Sequence, residues 1–377
     1  MMNTRGMEAR RILFTDDGAQ IHTYRLRALR DNEVLVRSRC SLVSIGTETT
    51  LYLHRPARKS DRTRQDAETG TGADEWDFDD YGEGETWDME RNRRFPGYSL
   101  AGDVVARGPA VRDLEVGDRV VALHHHADLA ICPVRDDIIL RIPDVVSYEQ
   151  ATFCVLGSVA LHAIHRSKLQ IGEDVTVMGA GLVGLLTLQL AALAGARPVV
   201  SVDLSPARLK LARRLGADVT VNPNREDLVA RVRDATGGRG ASCTIEAVGH
   251  PAVLQSCMRV CRPGARIVVM GAIVGTAELD MYSEFVFREL TLIASQQPRN
   301  PVRDSIYYHL TGQQNRRTLL GMIGAGAIEV DDLITHRYRF SQAPDVYRLL
   351  GESRAADSDA SGNVNRDMIG VLFDWSD

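Results

Sequence analysis

The chain has 377 residues, enough for two domains that each bury a core, or for one domain with a large insertion. Its formal net charge of -5 provides no overall basic field, which argues against nucleic acid or an anionic membrane surface as a partner. No apolar run that could serve as a signal core follows the first residues, and no stretch reaches the eighteen apolar residues of a membrane span, so the sequence predicts a cytoplasmic protein.

Short strands are predicted for most of the first 150 residues. Residues 10–45 and 95–142 alternate apolar and polar side chains in runs that glycine and proline interrupt. Between them lies an acidic insertion of about residues 55–94, with 12 acidic and 2 basic residues between Asp61 and Glu90. Its aromatic residues leave open whether it is a lid, a dimer contact or a mobile loop.

The period of the apolar residues changes from about residue 147. Residues 148–167 are predicted to be helical, and a strand, a glycine turn, a helix and another strand follow. This order is typical of a parallel sheet covered by helices. The second part of the chain is therefore predicted to be α/β.

A glycine motif lies between the first of these strands and its helix. Gly179, Gly181 and Gly184 have the spacing G-x-G-x-x-G. The first glycine permits a tight turn, the second lets the backbone approach a pyrophosphate, and the third lets the helix pack closely on the strand. The amides at the start of the helix, including those of Leu182 and Val183, would face the phosphates. The motif predicts a dinucleotide-binding turn.

The next strand ends at Asp203, which lies 19 residues after Gly184. A carboxylate at this distance can accept hydrogen bonds from both hydroxyls of the adenosine ribose. It would repel a 2′-phosphate, so Asp203 predicts NAD(H) rather than NADP(H). Arg208 is the nearest basic residue and leaves use of both nucleotides open.

Together these features resemble the medium-chain dehydrogenase/reductase superfamily, to which the zinc-type alcohol dehydrogenases belong. Four further segments carry the resemblance: Gly-Asp-Arg-Val at 117–120, Ala-Leu-His-Ala at 160–163, Glu-Ala-Val-Gly at 246–249 and Gly-Ala-Arg-Ile-Val-Val-Met-Gly at 264–271. The resemblance covers nearly the whole chain except residues 55–94.

The resemblance implies a GroES-like, β-rich catalytic domain formed by residues 1–150 and 301–377. It implies a Rossmann domain with a doubly wound parallel sheet at residues 151–300. It places Val248, Gly271 and Ala272 beside the cofactor. It also implies a homodimer that acts on a small-molecule substrate by oxidation or reduction.

The positions that hold catalytic zinc in this superfamily differ here. Zinc-containing members carry a Cys, then a His-Glu pair, then another Cys or Glu; the matching residues are Ile45, Tyr98 with Ser99, and Val155 or its neighbour Cys154. Catalytic zinc needs three protein ligands, and isoleucine and valine have no donor atom. The sequence therefore predicts an enzyme without zinc or another metal.

Without a metal, another group must polarise the substrate oxygen, because hydride transfer to a carbonyl builds negative charge there. Tyr98 is the candidate proton donor, and Thr47, which matches the family's relay hydroxyl, would pass protons on. To act as a base at neutral pH, Tyr98 would need a pKa lowered from about 10. The alternative is that both side chains only fill the vacated metal pocket.

Glu48 and His126 are the other catalytic candidates. Glu48 could hydrogen-bond Tyr98 or a relay water, or could lie on the surface or behind the site. The adjacent histidines at 124–126 are expected on a strand, where alternate rings would face one cleft. A structural role is the alternative for His126, and His162 is expected to be structural.

Three functions remain open at this point. Ser-x-Gly-Thr-Glu at 44–48 with Pro-Gly-Tyr at 96–98 resembles a branch that includes bacteriochlorophyllide dehydrogenase and related enzymes of specialised metabolism. The first function is oxidation of a secondary alcohol such as a polyol, cyclitol or sugar-like intermediate. The second is reduction of an activated C=C bond, which zinc-free relatives commonly perform with NADPH and which Asp203 disfavours. The third is nucleotide binding without catalysis.

Overall fold

The computed structural model describes residues 4–53, 95–134, 138–273, 276–295, 310–357 and 367–376. The acidic insertion therefore lies outside the described residues, and its role stays a prediction. Within the described ranges, no helix combines the length and the apolar character needed to cross a bilayer.

The chain divides into two compact units. The first comprises Met1–Thr152, His336–Asn365 and Val371–Asp377, and the second comprises Phe153–Thr335 and Arg366–Gly370. The first is mainly β and the second alternates strands and helices, so an α/β fold with a β-rich part and a Rossmann part is confirmed.

Strands and helices are numbered in chain order. The strands are β1 Glu8–Thr15, β2 Gly18–Arg25, β3 Glu33–Val43, β4 Leu100–Arg107, β5 Arg119–Ala122, β6 Leu129–Pro133, β7 Ile139–Arg141, β8 Val175–Met178, β9 Val199–Val202, β10 Val219–Val221, β11 Ala241–Glu246, β12 Cys261–Val269, β13 Thr291–Ala294, β14 Ile334–Arg339 and β15 Gly370–Asp374. The helices are α1 Ile45–Leu53, α2 Tyr148–Ser167, α3 Leu182–Leu193, α4 Pro206–Arg214, α5 Leu228–Ala235, α6 Pro251–Val260, α7 Gly312–Gly324 and α8 Ala343–Asp357. Short π and 3₁₀ turns lie at Met281–Val286, Asp331–Leu333 and Phe340–Gln342.

The sheets of the first unit depend on pairing between distant parts of the chain. β1 and β2 form a two-stranded sheet, and a larger sheet has the order β14-β15-β3-β4-β5-β7 with β6 also paired to β3. Strand β15 lies antiparallel to β3, with Leu372 opposite Leu42. The C-terminal strand thus completes the sheet that the N-terminal strands begin.

The sheet of the second unit has the order β10-β9-β8-β11-β12-β13, and its strands are parallel. Renumbered from the first strand of this unit, that order is 3-2-1-4-5-6, the order of a Rossmann fold. Strands β8, β9 and β11 are buried along their whole length, which explains their continuous apolar runs. The direction of winding reverses between β8 and β11, and ligands of such sheets bind beyond the strand ends at this point.

Residues 310–335 belong to the second unit, whereas the sequence analysis placed them with the first. A Cβ on Gly157 of α2 would lie 2.9 Å from the side chain of Leu319, so α7 packs closely on α2. The side chain of Gln189 on α3 exchanges hydrogen bonds with the backbone of Glu329 at 3.0 and 2.8 Å. These contacts explain why this part of the tail packs with the Rossmann helices.

Burial of His162 makes the stability of the second unit depend on pH. His162 lies on α2, and burial, with Arg166 and His165 nearby, lowers its pKa from 6.5 to about 4. In the unfolded chain this imidazole binds a proton below about pH 6.5, whereas in the folded protein it does so only near pH 4. The free energy of unfolding is therefore highest above pH 6.5 and decreases as the pH falls towards 4. The loss amounts to at most about 3 kcal/mol.

We therefore expect His162→Gln to lose less stability on acidification than the unchanged protein does. Urea unfolding at several values between pH 7 and pH 4 measures both slopes. Since many carboxylates titrate in the same range, the difference between the two slopes is the relevant quantity, and identical slopes would contradict the prediction.

Candidate functional site

The glycine turn between β8 and α3 has an unusually close packing on one side and open space on the other. Gly179 has a φ of +101°, and its amide donates to the carbonyl oxygen of Val202 at 2.7 Å. A Cβ on Gly184 would lie 1.9 Å from the carbonyl oxygen of Gly179, so α3 can approach β8 this closely only with glycine there. A Cβ on Gly181 would meet no atom within 4 Å, which leaves room for a ligand beside the backbone.

The first turn of α3 is free to receive an anion. Gly181 is the N-cap residue of this helix, and no side chain caps it. By their position, the amides of Leu182, Val183 and Gly184 have no partner within the helix. The helix dipole adds positive potential at this end. These residues fit a pyrophosphate, as the motif predicts.

Asp203 follows β9 and is hydrogen-bonded to the glycine turn. Its Oδ2 accepts the amide of Ala180 and its Oδ1 accepts the amide of Ser205, each at 2.8 Å. Each carboxylate oxygen keeps a second lone pair, so the side chain can still accept ribose hydroxyls. Arg208 lies beside it, with Nη1 4.0 Å from Oδ2 and Nη2 donating to the carbonyl oxygen of Met368 at 2.9 Å. Asp203 thus fixes the turn as well, which the sequence analysis did not predict.

The predicted cofactor residues lie in a row along the edge of the Rossmann sheet that the carboxyl ends of its strands form. The order β9-β8-β11-β12 places Asp203, the glycine turn, Val248 and then Gly271 with Ala272 next to one another. A Cβ on Gly179 would lie 2.8 Å from the side chain of Val248, so the loop after β11 contacts the turn. Val248 is nevertheless 47% exposed, and its side chain is accessible to a ligand.

A buried polar network surrounds Glu48 in the first unit. Glu48, His126 and Tyr347 are fully buried. One oxygen of Glu48 accepts the amide of Ser44 at 2.7 Å, and the other accepts the hydroxyl of Tyr347 and lies 3.1 Å from Nε2 of His126. All these partners belong to the protein itself, so Glu48 and His126 stabilise the fold of the first unit, and a catalytic role for either residue stays a prediction.

His126 lies in the loop between β5 and β6, so the expectation of three histidines on a strand is wrong. Its Nδ1 lies 2.7 Å from Oγ of Ser41, which also accepts the indole N–H of Trp375 at 2.8 Å. A Cβ on Gly97, whose φ is +94°, would lie 2.6 Å from the ring of His126. The ring is therefore packed directly under the turn that leads to Tyr98.

Tyr98 and Thr47 are brought together, as the sequence analysis expected. The hydroxyl of half-buried Tyr98 donates to Oγ of Ser44, and the Thr47 side chain hydrogen-bonds it as well. Burial raises the pKa of Tyr98 to about 12, and the charge of Glu48 adds to the rise, while the bonds to Ser44 and Thr47 oppose it. The condition for Tyr98 to act as a base at neutral pH, a lowered pKa, is therefore not met, and its hydroxyl stays protonated at that pH.

Two of the positions that resemblance to zinc-containing members would assign to zinc ligands carry side chains without a donor atom. Ile45 begins α1 and has no donor atom, and Val155 is buried on α2. The neighbouring residue, Cys154, is also buried, and burial raises the pKa of its thiol to about 12. In the described part of the chain, no group of three or more His, Cys, Asp or Glu side chains is placed to hold a metal ion.

Known proteins resemble this chain in sequence. The family model for zinc-binding dehydrogenases matches residues 183–306. The sorbitol dehydrogenase of Bacillus subtilis is 26% identical over 289 residues, which covers 66% of this chain and 75% of that protein. The L-threonine 3-dehydrogenase of Pyrococcus horikoshii is 27% identical, with 67% and 78% covered. The (R,R)-butanediol dehydrogenase of Bacillus subtilis is 31% identical, with 52% and 63% covered.

Solved structures share the fold at lower identity. An Escherichia coli oxidoreductase/dehydrogenase of unknown specificity superposes with a TM-score of 0.74 at 19% identity, covering 98% of this chain and 99% of that one. The 2R,3R-butanediol dehydrogenase of Bacillus subtilis gives a TM-score of 0.71 at 21% identity, covering 97% and 99%. Together with the sequence matches, this shared fold supports the predicted medium-chain dehydrogenase/reductase superfamily.

Proposed function

We propose that the protein is an NAD(H)-dependent oxidoreductase that interconverts a secondary alcohol and a ketone without catalytic zinc. The observation that carries the proposal is the row formed by Asp203, the open glycine turn and Val248 along one sheet edge. Sorbitol, threonine and butanediol, named in its relatives, all carry secondary hydroxyl groups. A polyol, cyclitol or sugar-like alcohol is the substrate class we favour, and the narrower branch resemblance stays a prediction.

Each part of the row would bind one part of the cofactor. NAD(H), when bound, supplies the acceptor or donor of the hydride. Asp203 would accept the hydroxyls of the adenosine ribose, and the amides at the start of α3 would bind the pyrophosphate. Val248 and the loop at Gly271 would contact the other half. The carboxylate supports NAD(H) over NADP(H), because a 2′-phosphate beside it would be repelled.

Tyr98 would supply the proton that accompanies hydride transfer to a ketone. Its raised pKa keeps the hydroxyl protonated at neutral pH, so it can donate to the developing alkoxide. Ser44 and Thr47 hydroxyls can each donate as well as accept, and either could return a proton to Tyr98. In alcohol oxidation Tyr98 would accept the proton of the substrate hydroxyl only as it passes its own proton to Ser44, because its raised pKa excludes a tyrosinate at neutral pH. Glu48 is a positioning residue, because it binds the amide of Ser44.

Replacing Tyr98 with phenylalanine should lower kcat at least about tenfold and leave NADH affinity unchanged, because only the proton donor is lost. Tyr24→Phe is the matched control, since its hydroxyl also makes a hydrogen bond in the first unit, to the carbonyl oxygen of Leu129 at 3.2 Å. Steady-state kinetics and NADH titration measure both effects. If the two variants turn over alike, Tyr98 has no part in the mechanism.

Transfer of label from 4-deuterated NADH tests the proposed reaction. A panel of ketones derived from polyols, cyclitols and sugars would be reduced, and the products analysed by mass spectrometry and NMR. We expect deuterium on the carbinol carbon. Deuterium on the carbon β to a carbonyl, from enone substrates, would instead show a C=C reductase. Binding of NADH without its consumption across a wide panel would favour a nucleotide-binding protein without catalysis.

The protein is also proposed to form a homodimer through β13, the outer strand of the Rossmann sheet. β13 ends the strand order among the described residues, and Leu292 on it is 43% exposed. Phe287 and Tyr282, just before it, are 76% and 71% exposed. An exposed strand edge with apolar residues favours pairing, and two copies can pair it about a two-fold axis. Light scattering should give twice the 41.5 kDa chain mass, and a monomeric mass would contradict this proposal.

A further inference from the structure

A buried carboxylate lies beneath the two loops that follow β11 and β12. Glu246, the last residue of β11, is fully buried, and its Oε1 accepts the amides of Val248 and Gly249, each at 2.8 Å. Burial raises the pKa of this carboxyl, and the hydrogen bonds from the amides of Gly249 and Val248 oppose the rise. The side chain thus holds the loop after β11, while the backbone carbonyl oxygen of Glu246 accepts the amides of Met270 and Gly271 in the loop after β12, at 3.0 and 2.9 Å.

The space around the second carboxylate oxygen is closed. Oε2 of Glu246 accepts no well-formed hydrogen bond from any residue in the described ranges. A Cβ on Gly271 would lie 2.5 Å from this oxygen and 2.4 Å from the amide nitrogen of Gly249, so the two loops meet at the carboxylate. Burying an incompletely paired carboxylate costs folding free energy, and an apolar side chain would cost less. Stability alone therefore does not explain Glu246.

The position of Glu246 along the sheet indicates which half of a dinucleotide it would serve. Asp203 follows β9, the glycine turn follows β8, and the two loops follow β11 and β12. A dinucleotide with its adenosine ribose at Asp203 and its pyrophosphate at the turn must extend its nicotinamide half over the ends of β11 and β12.

We propose that Glu246 is a positioning residue that holds these two loops at the spacing required by the nicotinamide half of NAD(H). This inference rests on the proposed function. Glu246 would act through the amides of Val248 and Gly249 and through the packing of its Oε2 against Gly271. Without this side chain, the loop after β11 loses its acceptor and the backbone of Gly271 loses the carboxylate oxygen that it packs against, while the adenosine half of the site keeps all its contacts.

The test compares the binding of NADH and of AMP to Glu246→Ala, Glu246→Gln and the unchanged protein. AMP contains only the adenosine half, so its affinity reports Asp203 and the turn. We expect Glu246→Ala to raise the Kd for NADH at least about tenfold and that for AMP less than about twofold. Glu246→Gln keeps an acceptor for Val248 and Gly249 but turns an amino group towards Gly271, so we expect an intermediate loss of about threefold for NADH.

Asp174→Asn is the matched control, because Asp174 is a buried carboxylate at the other ends of the same strands, just before β8. Its Oδ1 accepts the hydroxyl of Ser242 at 2.8 Å, and its Oδ2 accepts the amide of the same residue. This variant should be less stable to urea but bind NADH and AMP normally.

Two results would overturn the inference. One is NADH affinity in both Glu246 variants equal to that of the unchanged protein. The other is loss of NADH and AMP affinity by the same factor in both variants, which would indicate a general structural role. If the unchanged protein binds neither nucleotide, the proposed function itself fails, and this outcome is distinct from the other two.

Discussion

Replacing Gly184 with alanine is expected to cost about 3 kcal/mol or more of unfolding free energy and to abolish measurable NADH binding. The added Cβ would lie 1.9 Å from the carbonyl oxygen of Gly179. Gly184 lies within α3, and Gly179 begins the turn directly after β8. Neither can move without displacing the helix from the strand or deforming the turn. Urea unfolding and fluorescence titration measure the two losses.

Gly181→Ala is the matched control for this prediction. Gly181 has a φ of -73°, which alanine adopts freely, and its Cβ would meet no atom within 4 Å. We therefore expect stability within about 0.5 kcal/mol of the original and NADH binding at least about tenfold weaker, because the methyl group occupies the ligand's space. A stable Gly184→Ala, or a Gly181→Ala protein that binds NADH normally, would contradict this account of the turn.

Replacing Glu48 with alanine is expected to cost about 3–5 kcal/mol, because a fully buried acceptor disappears from the first unit. The hydroxyl of Tyr347, Nε2 of His126 and the amide of Ser44 would each lose the partner they now share. Water has little access to these groups, so their hydrogen bonds would not be replaced. Urea unfolding of the two proteins measures the loss.

An exposed ion pair provides the comparison for Glu48. Glu149 binds Arg337 through two hydrogen bonds of 2.8 Å, but their side chains are 37% and 55% exposed. Glu149→Ala should therefore cost less than about 1 kcal/mol. A Glu48→Ala protein as stable as Glu149→Ala would show that the network around Glu48 does not hold the first unit together.

The cofactor side of the site could be predicted because its determinants are local in sequence. Gly179, Gly181, Gly184 and Asp203 lie within 25 residues, and each position has a steric or electrostatic reason that does not depend on distant partners. The geometry at Gly181 and Gly184 follows from the same reasons. The hydrogen bonds from the Ala180 and Ser205 amides to Asp203 were not predicted, since a strand pattern does not show how a carboxylate is oriented.

The proton-handling side could be predicted only in part, because its contacts join distant parts of the chain. Tyr347 is 299 residues from Glu48, and Trp375 is 334 residues from Ser41. No local pattern links such pairs. Thr47 and Tyr98 were found through the motifs that contain them, but the direction of the Tyr98 pKa depends on burial that only the packed structure shows.

Fluorescence titration of NADH and NADPH against the protein and its Asp203→Ala variant tests the central claim most directly. We expect saturable binding of NADH by the unchanged protein and weaker binding of NADPH. Asp203→Ala should bind NADH at least about tenfold more weakly and lose the preference between the two nucleotides. An unchanged protein that binds neither nucleotide would contradict the claim that a dinucleotide lies across the glycine turn.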